Sequence, residues 1–96
     1  MSVYLIVDTK IHNLAMYKEY MQLAKPIAEK YGGIYRARGG ALDIGECELW
    51  TPTRIVIIDF PKKDDAQKFL DSDEYASVKP IRLKSATCTL FIVEGS

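Results

Sequence analysis

Three short apolar runs constrain the fold of this 96-residue chain more than any other feature. Residues 3–7, 55–58 and 90–93 are rich in β-branched and aromatic side chains, which predicts three strands. In an antiparallel sheet with helices on one side only, apolar and polar residues should alternate along each strand. These runs do not alternate, so both faces of the predicted sheet are apolar. Helices can bury one face of the sheet, and the other face must be buried against something else.

A long helix is predicted after the first strand. Apolar residues recur at steps of three and four from Leu14 to Tyr31, and Asn13 in front of them is a typical N-cap. Gly32 suits the left-handed backbone position that ends a helix. Pro26 lies inside the pattern and lacks the amide that would bond to residue 22, so we expect a kink or a break there.

A strand flanked by glycine pairs follows this helix. Residues 34–38 read Ile-Tyr-Arg-Ala-Arg between Gly32-Gly33 and Gly39-Gly40. Because successive strand residues face opposite sides of a sheet, Arg36 and Arg38 are predicted to share one face. Residues 39–53 contain three glycines and a proline, which predicts a long loop or an irregular hairpin before the strand at 54–60.

The C-terminal half predicts a second strand–helix–strand unit. Its helix starts near Asp64, where the helix dipole favours negative charge. A further short helix is capped by Asp71 or Ser72 and is interrupted or kinked at Pro80, and the last strand spans Thr87–Val93. This order predicts one α+β domain over residues 1–96, a ferredoxin-like βαββαβ antiparallel sheet with both helices on one face.

The uncovered sheet face predicts a homodimer. Burying one Val, Leu, Ile or Phe side chain gains roughly 1.5–3 kcal/mol. Several such side chains facing water would form a larger apolar patch than a monomer usually exposes. A second copy stacked sheet to sheet would bury them and form an α+β barrel.

Charge and composition exclude several classes of partner. The 13 basic and 13 acidic residues cancel, and no basic arm or helix stands out, so we expect no nucleic acid partner. No apolar run approaches the ~20 residues of a membrane span. The N-terminus lacks the basic segment of a signal peptide, which predicts a cytoplasmic protein. Cys47 and Cys88 are far apart in sequence, and both are expected to be reduced.

Arginine side chains are the main candidates for a ligand site. If Asp59 shares a sheet face with Arg38, the two form a charge-assisted pair. Two interpretations stay open. The pair is a structural ion pair, or Arg38 clamps a small carboxylate or enolate while Asp59 orients it or acts as a base. Arg36 and Arg82 can reach the same opening.

Aromatic residues beside loops are the second group of candidates. Tyr75 and Trp50 suit a pocket wall with the polar tip inward, or they pack in the core, where Tyr17 is also expected. His12 stands alone and is expected on a surface loop. The chain has no P-loop, GxGxxG motif or Ser/His/Asp spacing, and we expect no metal and no cofactor.

Seven short motifs follow one another along nearly the whole chain. They are Tyr31-Gly32-Gly33, Arg38-Gly39-Gly40, Trp50-Thr51-Pro52 with Arg54, Asp59-Phe60-Pro61, Ser72-Asp73-Glu74-Tyr75, Pro80-Ile81-Arg82 and Val93-Glu94-Gly95. This ordered set resembles domain-of-unknown-function family 1330, within the dimeric α+β barrel superfamily. The chain departs from the family at Lys62, where a small polar helix cap is more usual.

The resemblance implies a ferredoxin-like dimer and no agreed activity. Relatives in the wider superfamily include cofactor-free monooxygenases, lactone isomerases, haem-degrading enzymes and ligand-sensing domains, and a shared fold does not transfer a reaction. The leading hypothesis is a homodimer that binds a small organic anion in one pocket per subunit, between sheet and helices, with cofactor-free catalysis left open. The alternative is a sensing or structural module without catalysis.

Overall fold

Four strands form one antiparallel sheet in the computed structural model, which describes residues 2–96. They are β1 (Val3–Ile11), β2 (Ile34–Arg38), β3 (Ile55–Phe60) and β4 (Ala86–Glu94), in the spatial order β2-β3-β1-β4. Three helices complete the fold: α1 (Leu14–Lys30), α2 (Lys63–Asp71) and α3 (Asp73–Ser85). The predicted ferredoxin-like α+β plan is confirmed, with two consecutive helices before the last strand.

Helix α1 begins and ends as predicted. The Asn13 side chain accepts a hydrogen bond from the Met16 amide (3.1 Å). Gly32 has a φ of +92°, and the amides of Gly32 and Gly33 donate to carbonyls of the last helical turn. The helix is not broken at Pro26. Because Pro26 lies on the exposed side of the helix, water can solvate the carbonyl that the proline leaves without a partner.

Helices α2 and α3 differ in how they begin. Lys62 is the N-cap residue of α2, and its side chain makes no capping hydrogen bond. The Ser72 hydroxyl caps α3 by accepting from the Tyr75 amide (3.1 Å) and also donates to the Phe69 carbonyl (2.8 Å). Helix α3 is longer than predicted and passes through Pro80, which is exposed like Pro26.

The core lies between the helices and one face of the sheet, called here the helix face. Leu5, Val56, Ile58 and Phe60 project from this face and are almost fully buried against the helices. The Phe60 and Phe69 rings stack with centroids 5.8 Å apart, so α2 rests directly on β3.

The opposite side of the sheet, called here the open face, carries a row of apolar side chains. Ile6 on β1 pairs with Ile57 on β3 and with Phe91 on β4, and Ala37 on β2 continues the row. None of the three helices covers these residues, and Phe91 keeps 38% of its surface exposed. The strands therefore carry apolar side chains on both faces of the sheet, and the helices cover only one of these faces.

Residues 39–54 contain no helix or strand, which agrees with the loop predicted for residues 39–53, and β3 begins at Ile55, one residue after its predicted start. Across residues 2–96, no helix is both long enough and apolar enough to cross a membrane.

Candidate functional site

A β-bulge in β2 decides where its two arginines point. Tyr35 pairs with Ile58 and Arg38 pairs with Val56, but the register shifts between Tyr35 and Ala37, so Arg36 is an extra residue. Tyr35 and Arg38 therefore share the helix face, whereas Arg36 lies toward the open face. The prediction that Arg36 and Arg38 share a face is wrong, because simple alternation does not hold across a bulge.

The predicted pairing of Arg38 with Asp59 is also wrong. Asp59 lies on the open face, and its carboxylate accepts from Arg36 Nε at 3.2 Å. The Asp59 side chain is 13% exposed and that of Arg36 is 56% exposed, so this is a half-buried ion pair. Arg36 and Asp59 thus belong to the open face and are not part of a site on the helix face.

A cavity of about 40 Å³ lies between the helix face of the sheet and α1, α2 and α3. Three guanidinium groups line it: Arg38 from β2, Arg54 from the loop just before β3 and Arg82 from α3. Four tyrosines also line it: Tyr17, Tyr20, Tyr35 and Tyr75. The other lining residues are apolar, so the cavity combines strong hydrogen-bond donors with a low-dielectric wall.

One end of this cavity is formed by Arg38 and Arg54, which converge on Met21 of α1. Arg38 Nη2 donates to the Met21 carbonyl (2.6 Å), and Arg54 Nη2 lies 3.6 Å from the Met21 sulfur. The Arg38 guanidinium stacks over the Tyr35 ring at 4.8 Å, and the Arg54 guanidinium lies 5.3 Å from the centroid of Tyr17. Arg54 Nη1 is buried and has no hydrogen-bond partner within residues 2–96.

Gly39 leaves room for the Arg54 side chain. Its φ is +76°, and a Cβ atom at this position would lie 2.5 Å from Arg54 Nε. Glycine is therefore needed both for the backbone conformation and for the close approach of the guanidinium to the chain.

The other end of the cavity is a hydrogen-bonded chain of Tyr20, Tyr75 and Arg82. Arg82 Nε donates to the Tyr75 oxygen (3.1 Å), and the two tyrosine oxygens are 2.8 Å apart. Arg82 is only 8% exposed and Tyr75 only 2%, so this end is nearly closed to solvent. The tyrosines connect to the first end because the Tyr17 and Tyr20 rings lie 5.4 Å apart.

Tyr20 and Tyr35 are neutral hydrogen-bond donors near neutral pH. Burial, followed by the neighbouring Tyr75, raises the pKa of Tyr20 far above its ordinary value. Burial also raises the pKa of Tyr35 to about 12, although the Arg38 charge acts in the opposite direction. A phenolate therefore does not neutralise the arginines at this pH.

No carboxylate neutralises them either within the described chain. The ion pairs among residues 2–96 join Lys30 to Glu74 and Arg36 to Asp59, and neither involves Arg38, Arg54 or Arg82. Buried charges in proteins are normally paired. The cavity therefore concentrates uncompensated positive charge, which suits an anionic occupant.

Trp50 lies outside this cavity. Its indole Nε1 donates to Asp8 Oδ2 (2.9 Å), and the amides of Thr53 and Arg54 donate to Asp8 Oδ1 at 2.9 and 3.1 Å. Trp50 keeps 51% of its surface exposed. These bonds attach the loop before β3 to strand β1, so Trp50 fixes the loop instead of lining the arginine site.

The same bonds change the acidity of Asp8. Burial alone would raise its pKa, but the bonds from Thr53, Arg54 and Trp50 outweigh burial and lower it from 3.8. Because the folded-state pKa is the lower one, this stabilisation is complete above the unfolded value and is lost as the pH falls through the folded value.

We therefore expect Asp8→Asn to lower the free energy of unfolding by about 1–3 kcal/mol near neutral pH, since it removes charge-assisted bonds. The variant should also lose less stability than the wild type on going from about pH 5 to about pH 3. Urea unfolding at several pH values checks both effects. Parallel stability curves for the two proteins would contradict this account of Asp8.

His12 is exposed, and its Nε2 lies 2.7 Å from the Thr87 hydroxyl, in agreement with the predicted surface position. Among residues 2–96, no three His, Cys, Asp or Glu side chains form a cluster that could hold a metal ion. Cys47 and Cys88 are both free thiols.

The sequence predictions identified part of the cavity. Arg38, Arg82 and Tyr75 were candidates and lie together there, and Tyr17 was predicted as core and is buried at its wall. Three further lining residues were not among the candidates: Arg54, Tyr20 and Tyr35. Arg54 could have been recognised, because it shares its predicted sheet face with Val56, Ile58 and Phe60, where a cation needs a special environment.

A model for the family described as "Domain of unknown function (DUF1330)" matches residues 2–96. No curated protein matches the chain.

Several solved structures share the fold at low sequence identity. A protein of unknown function from Rhodopseudomonas palustris has a TM-score of 0.76 at 14% identity, over 99% of this chain and 82% of its own. A dimeric ferredoxin-like protein of unknown function from Jannaschia sp. CCS1 has a TM-score of 0.76 at 12% identity, over 99% and 100%. SnoaB, a cofactor-independent oxygenase from Streptomyces nogalater, has a TM-score of 0.73 at 10% identity, over 99% and 93%.

Proposed function

The chain belongs to the DUF1330 family, and from that premise we propose that it is a homodimeric protein that binds a small organic anion in the cavity of Arg38, Arg54 and Arg82. One observation carries this proposal: three guanidinium groups line a mostly apolar cavity and none has a carboxylate partner within residues 2–96. A carboxylate or enolate supplies the missing charge and accepts the two parallel hydrogen bonds that a guanidinium offers.

The cavity favours binding over a purely structural role. In a structural pair, each buried cation would face an acidic side chain, as Arg36 faces Asp59 on the open face. Arg54 Nη1 is instead buried without a partner. An unsatisfied buried donor costs about 1–3 kcal/mol, and a bound anion would remove this cost.

The homodimer is proposed from the open face. A row of apolar residues crosses that face, and a second copy stacked on it would remove the row from water. The dimeric ferredoxin-like protein from Jannaschia has the same fold over the whole of its chain, which supports this assembly. The arginine cavity lies on the other side of the sheet, so each subunit of such a dimer would keep its own site.

Catalysis without a cofactor is a second candidate function, favoured by the similarity to SnoaB. The cavity supplies the charge that would stabilise an enolate, because its guanidinium groups can donate to a developing negative oxygen. Binding of the anion is the step that this candidate shares with the first.

Titration calorimetry with a panel of small carboxylates tests the proposed function. We expect at least one to bind with a Kd below about 1 mM, and Arg38→Met to weaken that binding by about tenfold or more. The free energy of unfolding of Arg38→Met should stay within about 1 kcal/mol of the wild type, because no carboxylate is left unpaired. Absence of binding across the panel, or Arg38→Met binding unchanged, would refute the proposal.

A further inference from the structure

The walls of the arginine cavity leave little freedom for expansion. Leu5, Phe69 and Tyr75 line it, and each of them is at most 2% exposed. Such side chains are packed on all sides, and forcing an extra methylene into a well-packed interior is unfavourable. The volume of the cavity therefore limits the size of an occupant.

One donor of Arg54 marks where an anion would be held. Arg54 Nε lies against Gly39, and Nη2 lies 3.6 Å from the Met21 sulfur. Nη1 is buried and has no hydrogen-bond partner within residues 2–96. Because Nη1 itself is buried, a carboxylate that accepts its hydrogen bond lies inside the protein, and the carbon attached to that carboxylate must fit there as well.

The volume allows a count of the atoms that fit. The cavity measures about 40 Å³, and a water-sized group needs roughly 10–15 Å³, so it holds about three such groups. The two oxygens of acetate and its methyl group are three groups of this size, with the carboxyl carbon between them. Formate has one group fewer, whereas propionate has one more and butyrate two more.

We infer that the cavity binds one- and two-carbon carboxylates, formate and acetate, and excludes longer acids by size. This inference rests on the proposed function and names its ligand class. The carboxylate accepts the hydrogen bond of Arg54 Nη1, and the hydrogen or methyl group occupies the space that the apolar wall leaves.

A series of unbranched acids from formate to butyrate tests the inference. In an open apolar site, each added methylene raises the affinity about fourfold, so butyrate would bind best. A cavity of fixed size predicts the opposite order, and we expect acetate to bind the wild type about tenfold more tightly than butyrate or better. Titration calorimetry in a buffer free of carboxylates, at one pH and ionic strength, measures the ratio of the two Kd values.

Enlarging the cavity should remove this discrimination. Leu90 lines the cavity and is half-buried, and Leu90→Ala removes three carbon atoms from the wall. In this variant, the preference for acetate over butyrate should fall by about fivefold or more. Ile92→Ala is the matched control, because Ile92 lies two residues further along β4 and packs on the core without lining the cavity. Circular dichroism verifies that both variants are folded.

The outcomes separate the inference from the proposed function. Butyrate that binds the wild type as tightly as acetate would overturn the size limit and leave anion binding intact. A preference for acetate that is unchanged in Leu90→Ala, or that Ile92→Ala reduces equally, would also overturn it, since cavity size would not be its cause. If no carboxylate binds, the proposed function itself fails, and the inference fails with it.

Discussion

Arg54→Met should weaken the binding of small carboxylates by about 10- to 100-fold, because hydrogen bonds to a charged group contribute about 1.5–3 kcal/mol. The same change should leave the free energy of unfolding unchanged or raise it by about 1 kcal/mol. It removes a cation whose Nη1 is buried without a partner, and methionine fills much of the same space. Titration calorimetry and urea unfolding measure the two effects.

Arg36→Met is the matched control. Arg36 is paired with Asp59 on the open face, away from the cavity. This variant should keep wild-type carboxylate affinity and lose up to about 1 kcal/mol of stability, since the pair is half exposed to solvent. If Arg54→Met loses stability and keeps its affinity, Arg54 has a structural role, and the cavity is not the anion site.

Ile6→Glu should convert the proposed dimer to a monomer. Ile6 lies at the centre of the apolar row, between Ile57 and Phe91. In a sheet-to-sheet dimer, the glutamate of each copy would be buried in the interface, and an unpaired buried charge costs about 3–5 kcal/mol. We therefore expect the affinity between the two subunits to fall by at least a hundredfold, measured by sedimentation or light scattering at micromolar concentration.

Leu83→Glu controls for the general effect of a new charge on an exposed leucine. Leu83 is 60% exposed and lies on α3, away from the open face. This variant should remain a dimer. A monomeric wild type at micromolar concentration, or an Ile6→Glu protein that is still a dimer, would contradict sheet-to-sheet assembly.

The predictions of individual elements succeeded where the signal is local. The Asn13 cap, the Gly32 terminus and the bounds of β2 depend on a few neighbouring residues, and the structure confirms them. Of the kink or break expected at Pro26, the break does not occur, because the cost of a proline depends on whether water reaches the freed carbonyl.

The candidate site was predicted only in part because its geometry depends on pairing between distant strands. Arg38 was expected to meet Asp59, and it instead lies against Met21 of α1. One inserted residue in β2 causes this difference, since it reverses the side on which every later residue of the strand projects. A bulge forms when the partner strand and the packed helix favour it, and neither is visible in five residues of sequence.

The sequence by itself determined the order of helices and strands, the ferredoxin-like plan and the presence of an apolar sheet face that helices do not cover. These properties follow from the spacing of apolar residues, which is set by the 3.6-residue and two-residue periods of helix and strand. Only the tertiary structure decided that Arg38, Arg54 and Arg82 meet in one cavity while Arg36 pairs with Asp59 on the opposite face. The reason is that an arginine side chain lies where strand register and helix packing leave space and hydrogen-bond acceptors, and both arise from contacts between residues far apart in the chain.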